Sequence, residues 1–236
     1  MNHLSLRMEH IVNMVTPMSR VTDVGCDHGY VSIALVNRKI SPSAICMDIN
    51  EGPLKKAKEH VLEAGLSDRI ALRISDGLEA YSKGESDTIV IAGMGGPLII
   101  DILKNGLGKI TGDGAPELIL SPQSEIAKSR MSLSEMGFEI LDEDMVYEDG
   151  KFYIIMKVKN IGIEAVSKIS PKEAYLGPVL IKKKHPVLRD FINFEIDKNN
   201  KIIEKLRGEV QTVLIEAKIN ECQENLKLLK EVLWQN

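Results

Sequence analysis

Short β-branched runs alternate with helical stretches through the first 160 residues, and that alternation leaves few architectures open. Runs at 21–25, 44–48, 70–74, 88–92 and 118–120 each give way to a Gly, Asp or Ser turn, with helical patterns at 30–37, 54–64, beyond Pro97 and at 126–136. Pro53 sits at a helix start, where a missing N–H costs little, and Gly65 and Gly137 supply stops. Runs this continuously apolar suit strands buried on both faces, so these units predict an α/β fold with a parallel sheet between helical layers. Two further strands, 138–147 and 152–158, flank Glu148-Asp149-Gly150, a hairpin turn signal, so the last of seven strands is expected to enter antiparallel.

After Asn160 the pattern changes, and the expected domains are 1–160 and 161–236. A connector containing Ser170-Pro171, Gly177-Pro178 and Lys182-Lys183-Lys184 leads to Pro186, beyond which no Pro occurs. Leu188, Ile192, Ile196, Ile203, Leu206 and Val210 keep helical spacing, as do Val213, Ala217, Leu226, Leu229 and Leu233, with Arg207-Gly208 as the break. Two antiparallel helices along an apolar seam, a coiled-coil hairpin, are the expectation.

Net charge is −4, which on its face disfavours a nucleic-acid partner. The balance is uneven, however: residues 161–236 carry 13 Lys and Arg against 11 Asp and Glu, whereas 1–160 carry 17 against 23. A mildly acidic body with a less acidic tail permits a polyanionic partner. Cys26, Cys46 and Cys222 lie far apart and in no CxxC or Cys/His cluster, which points to a reducing compartment and to neither zinc nor disulfides. The opening MNHLSLRMEHIVNMV has charges inside its apolar pattern, and no run reaches 18 apolar residues. A cytoplasmic protein without signal peptide or membrane span is therefore expected.

Ligands of open α/β sheets bind outside the carboxyl ends of the strands, so the residues that end each run are the site candidates. In Asp23-Val24-Gly25-Cys26-Asp27-His28-Gly29-Tyr30, bare glycines let a ligand approach the backbone and the following helix offers free N–H groups; Gly25 and Gly29 equally suit a tight turn. Asp48 ends the second run, where a carboxylate accepts from ribose hydroxyls or caps the next helix. Asp76-Gly77 ends the third, beside the place of an adenine amino group, or forms a plain turn. GxGxxG is absent, and Asp27 stands where the middle glycine would meet a pyrophosphate. A cationic ligand is favoured over a dinucleotide. S-adenosylmethionine, with a sulfonium and an ammonium, meets that requirement, with Asp23 and Asp27 facing the ammonium. Gly93-Met94-Gly95-Gly96 offers a backbone that a flat ring can approach, or a sharp turn into a helix. Ser121-Pro122-Gln123 lines the same cleft, and Gln123 can both donate and accept toward a base edge. The expected cofactor-binding set is Asp23, Gly25, Asp27, His28, Gly29, Asp48, Ile49, Asp76, Gly77, Gly93 and Met94, with His28 also eligible as a packed core residue and Cys26 as a buried filler.

With DVGCDHGY at 23–30, GMGG at 93–96, SPQ at 121–123 and a paired-helix tail, the chain resembles the bacterial tRNA adenine-N1-methyltransferases that act on adenine 22 of tRNA. The likeness covers nearly the whole chain. DVGCDHGY is its specific part, because most class I methyltransferases have Gly at the place of Asp27. The resemblance implies a Rossmann-like class I methyltransferase domain, S-adenosylmethionine as cofactor, and a C-terminal coiled coil that helps hold tRNA.

Methyl transfer from a sulfonium to a ring nitrogen is an in-line displacement on an activated electrophile, so positioning suffices and no nucleophilic side chain or metal is required. Adenine N1 lies on the Watson–Crick edge, so a paired target must leave its helix. The expectation is that the extruded base enters the 93–96 loop, with Asp27, Gly95, Gln123 and Tyr30 as the catalytic set. Lys182, Lys183, Lys184, Lys198, Lys201 and Lys205 are expected to meet tRNA phosphates, or to form a solvated face. The working chain is expected to be a monomer or weak dimer, with no membrane and no metal. Two other readings stay open: a class I methyltransferase acting on another RNA, a protein or a small molecule, and a noncatalytic adaptor whose tail binds RNA or dimerises.

Overall fold

The computed structural model describes residues 4–209 and 212–233. Two compact units divide between Ile169 and Ser170. The first holds a seven-stranded sheet, β1 Val21–Val24, β2 Ala44–Asp48, β3 Ile70–Ile74, β4 Thr88–Ala92, β5 Glu117–Ser121, β6 Phe138–Glu148 and β7 Lys151–Asn160, in the order β3-β2-β1-β4-β5-β7-β6. The first five strands pair in parallel, and β7 runs antiparallel to both β5 and β6. Asp149 and Gly150 both take positive φ, 48° and 78°, as a two-residue hairpin of matching twist requires.

From β1 the chain builds outward to β2 and β3, then returns to place β4 on the other side of β1. Strand order reverses there, and a crevice opens at the carboxyl ends of β1 and β4. All four residues of β1 are buried, as are the first four of β4. Helices α1 Leu6–Met14, α2 Tyr30–Asn37, α3 Glu51–Glu63, α4 Gly96–Asn105 and α5 Ile126–Glu135 belong to the same unit. Pro53 is the third residue of α3 rather than a residue before it; its missing N–H is one of the first four, which no helical carbonyl would have received.

The first helix, α1, carries no expectation from sequence, because charges interrupt its apolar pattern. Its charges find partners: Arg38 pairs with Glu9 at 2.5 Å and Asp144 with His10 at 2.6 Å. Ile11, Val12 and Met14 are buried on the other face. Another buried pair, Arg130 on α5 and Glu143 on β6, meets at 2.7 Å with both side chains fully enclosed.

Residues 161–169, expected to begin the tail, lie with the first unit. Ile161 N–H donates to Gly137 O at 2.9 Å, and Ser134 Oγ donates to Ser167 O at 3.2 Å. The second unit is almost wholly helical: α6 Pro171–Leu176, α7 Pro178–Lys183, α8 Pro186–Arg207 and α9 Val213–Val232. What reads as a connector contains two helices, each with Pro at its first position, the first closed by a Ser170–Glu173 capping box. Ile203, Cys222 and Leu226 are buried with Ile196 and Ile219 against them, joining α8 and α9 as a helical hairpin. A polar insertion accompanies this seam: Tyr175 Oη donates to Glu195 Oε2 at 2.9 Å, and burial beside that carboxylate pushes the phenol up. Val210 of the apolar repeat lies outside the described residues.

Candidate cofactor and active site

The tips of β1 to β4 surround one cavity of about 510 Å³, within the range of small-molecule sites. Asp23, Asp48 and Asp76 all border it. The loops that carry them are tied tip to tip by the backbone. Met47 O accepts from Gly25 N–H and Cys26 N–H at 2.8 and 3.0 Å, and Asp48 O accepts from Ser75 N–H at 2.9 Å. On the other side Ser121 O accepts from Gly93 N–H at 3.3 Å and Met94 O from Gln123 N–H at 2.9 Å. The 93–96 loop and Gln123 are therefore one substructure.

Asp23 is buried, and Ser32 Oγ donates to its Oδ2 at 3.0 Å. Burial pushes its carboxyl up to about 6, against the opposing pull of the Ser32 bond. Asp48 is also buried, and its Oδ1 accepts from Asn50 N–H at 2.9 Å, which leaves further acceptor capacity toward the cavity. Asp27, by contrast, is 74 % exposed at the mouth, with His28 Nε2 3.4 Å from its Oδ1. It takes a left-handed φ of 50° between Gly25 and Gly29, a conformation that Asp tolerates better than most residues.

The glycines divide into two roles. A Cβ on Gly25 would meet only the flexible end of the Met94 side chain, so this glycine, on the cavity wall, answers first to its left-handed φ of 70°. Gly29 lies outside the lining; a Cβ there would stand 3.3 Å from Ala57 Cβ, so it serves the packing of α3 against the loop. Gly95 also lies outside the lining: it caps α4 with an ordinary φ of −65°, and a Cβ would approach Ser124 Oγ at 3.1 Å. Gly25, Gly77, Gly93 and Met94 reach the cavity, as do Asp27, His28, Ile49, Tyr30 and Gln123.

Ile49 and Leu98 are 58 % and 52 % exposed on the rim, apolar faces against which a flat ring can lie. Tyr30 stacks on His60 with centroids 4.9 Å apart and planes 22° apart, and His28 meets both edge-on. Arg7, Met8 and Ile11 of α1, together with Asn50, Ser75 and Leu98, line the cavity without having been read from sequence. Asn50 and Ser75 had a local signal, since each adjoins or nearly adjoins a candidate Asp; the α1 residues had none.

Lys182, Lys183, Lys184, Lys198, Lys201 and Lys205 are all exposed on the second unit. Lys198, Lys201 and Lys205 share a face of α8 by their spacing, and Lys198 is paired with Glu195 at 2.8 Å. Among the described residues no cluster of three His, Cys, Asp or Glu is placed to hold a metal, and no helix is long and apolar enough to cross a membrane.

Carboxylates, bare backbone and an apolar rim suit a cationic nucleoside with free ribose hydroxyls, and would repel a polyphosphate. S-adenosylmethionine fits this donor set. Sheet order and cavity together define a class I methyltransferase domain, and residues 4–156 match the methyltransferase domain family. The chain is 35 % identical over 233 residues to the tRNA (adenine(22)-N(1))-methyltransferase of Bacillus subtilis, covering 98 % of this chain and 97 % of that one. The crystal structure of the B. subtilis m1A22 tRNA methyltransferase TrmK matches with a TM-score of 0.85 at 32 % identity, over 98 % of this chain and 99 % of that one. Streptococcus pneumoniae Sp1610 in complex with S-adenosyl-L-methionine matches with a TM-score of 0.81 at 33 % identity, over 98 % and 100 %. The chain belongs to the tRNA (adenine(22)-N(1))-methyltransferase family.

Proposed function

We propose that this protein transfers a methyl group from S-adenosylmethionine to N1 of adenine 22 in tRNA. The observation that carries the reading is the convergence of Asp23, Asp48 and Asp76 on one cavity beside a loop bonded to Gln123, in a chain of this family. When bound, S-adenosylmethionine supplies an already activated methyl electrophile. Asp23, with Asp27, faces its ammonium; Asp48 accepts from the ribose hydroxyls; Asp76 and Gly77 meet the adenine edge, with Ile49 and Leu98 against the ring.

The target N1 has a lone pair and no proton, so the chain need provide no base at that atom. A methylated adenine ring would carry positive charge. The exposed Asp27 carboxylate at the mouth lies where it can stabilise that developing charge. Gln123 supplies a donor and an acceptor to the base edge, and Tyr30, backed by His60, gives it a stacking face. The lysines of α7 and α8 hold phosphates without reading sequence. The proposed place of action is the cytoplasm, and the proposed working unit is a monomer or weak dimer.

Turnover of S-adenosylmethionine with folded tRNA, with a short adenine-containing oligonucleotide and with neither tests the reading. Turnover dependent on folded tRNA is expected. Equal turnover without it would move the substrate to another class.

A further inference from the structure

The β6–β7 hairpin carries an aromatic pair past the end of the sheet, on the side where the cavity opens. β7 pairs with β5 only as far as Met156, opposite Leu120, but with β6 as far as Lys151, opposite Glu148. Residues 151–155 therefore reach beyond the last paired residue of β5, by about 17 Å at the rise of an antiparallel strand. Because β7 runs against the parallel strands, its first residues and the turn before them stand at the carboxyl ends of those strands. Strand order puts this hairpin next to the tip of β5, where Gln123 N–H donates to Met94 O of the cavity wall.

Register sorts the hairpin side chains onto two faces. Asp144, Val146 and Glu148 face α1: Asp144 pairs with His10 at 2.6 Å, and Glu148 accepts from Leu6 N–H and from Arg7 N–H. Tyr147, directly opposite Phe152, lies on the other face, the one on which Arg130 of α5 meets Glu143. Glu143 is a full four residues before Tyr147, so α5 leaves the outer end of this face open. Tyr147 is 52 % exposed, with its ring centroid 4.6 Å from that of Phe152 and the planes 46° apart. Cross-strand pairing accounts for the contact between the rings, but not for a ring turned to water beside the cavity. The turn carries Asp149 and Lys151, of opposite charge, so this tip offers a ring face rather than a field.

We propose that Tyr147, braced by Phe152, stacks the nucleobase adjoining the target adenine in tRNA while the target occupies the cavity. This deepens the tRNA reading above and rests on it. An extruded base leaves its neighbour without a stacking partner on one side, and a rigid aromatic face supplies one. Continuity names the occupant: Gln123, assigned to the edge of the target base, belongs to the strand tip beside this hairpin.

Tyr147→Ala is expected to weaken binding of a tRNA transcript on the order of tenfold, and Tyr147→Phe, which keeps the ring, less than about threefold. S-adenosylhomocysteine affinity should stay near the parent's in both. Tyr147→Leu keeps apolar bulk without a ring face, and it decides if Tyr147→Ala unfolds. It is examined in complexes with transcripts that carry 2-aminopurine on one side or the other of adenine 22. Stacking on an aromatic ring quenches that base, so emission at one of the two positions is expected to rise about twofold over the parent complex. Equal emission at both positions, or unchanged tRNA affinity, overturns the proposal. A smaller oligomer in Tyr147→Leu at unchanged tRNA affinity would also overturn it, giving the face to a second copy of the chain. Absence of methyl transfer to tRNA by the parent would instead remove the tRNA reading itself, and this proposal with it.

Discussion

Ser32 Oγ, on α2, donates to Asp23 Oδ2 at 3.0 Å in the interior beneath the cavity. This single bond only partly offsets the burial that pushes the carboxyl up to about 6. The folded protein therefore binds this proton more tightly than the unfolded chain, so the Asp23 contribution to stability falls as pH rises from about 4 to about 6, by on the order of 3 kcal/mol. A cationic ligand favours the ionised form and reverses the preference. Affinity for S-adenosylhomocysteine is expected to be about tenfold weaker at pH 5 than at pH 7, and Asp23→Asn should weaken binding at pH 7 and flatten the profile. Calorimetry across that range checks it; an unchanged parent affinity would show that Asp23 does not meet the ammonium.

Gly25 and Gly29 make a second, separable pair of predictions. Both hold left-handed φ, 70° and 74°, so an alanine at either is expected to cost roughly 1–2 kcal/mol. At Gly29 the added methyl meets Ala57, away from the cavity, so Gly29→Ala should lower the melting temperature by a few degrees and leave S-adenosylhomocysteine affinity near the parent's. Gly25 itself lines the cavity, so a methyl there stands in ligand space and Gly25→Ala should also weaken that ligand. Scanning calorimetry beside binding calorimetry distinguishes them, and the reverse ranking would contradict the division of roles.

The enclosed Arg130–Glu143 pair predicts an asymmetry in stability. Glu143→Gln removes the carboxylate charge facing an enclosed guanidinium and should destabilise by roughly 3–5 kcal/mol, whereas Arg130→Met with Glu143→Leu should cost much less. Urea unfolding of the two variants measures the difference. Equal losses would mean that packing, not charge, dominates there.

Lysines of α8 should act on tRNA and not on the cofactor. Replacing Lys198, Lys201 and Lys205 with alanine is expected to weaken tRNA binding and reduce its salt-dependence slope by about 2, Lys198 contributing least because Glu195 already neutralises it. Filter binding at several salt concentrations, with S-adenosylhomocysteine affinity as the control, checks this. An unaltered slope would make these lysines a solvated face.

Strands β2 and β4 are legible in sequence because strands buried in a parallel sheet are apolar at nearly every position, and their carboxylate and glycine ends stand out against that background. The acidic half of the site is legible for the same reason. The role of each glycine is not, since positive φ looks alike in sequence whether the missing Cβ would meet Met94 at Gly25 or Ala57 at Gly29. Arg7 is illegible because its burial depends on Tyr153, 146 positions away, and on where β7 inserts into the sheet. The helices α6 and α7 had local signals in Ser170-Pro171 and Gly177-Pro178, but each is a single short turn pair whose periodicity is too brief to register.

Labelled methyl transfer to an unmodified tRNA transcript, followed by mapping of the modified nucleotide, tests the proposed reaction most directly. One methyl group on N1 of adenine 22 is expected, absent when that adenine is replaced by guanine and strongly reduced in Asp27→Asn. Label at another nucleotide, or undiminished transfer to the guanine transcript, would contradict it.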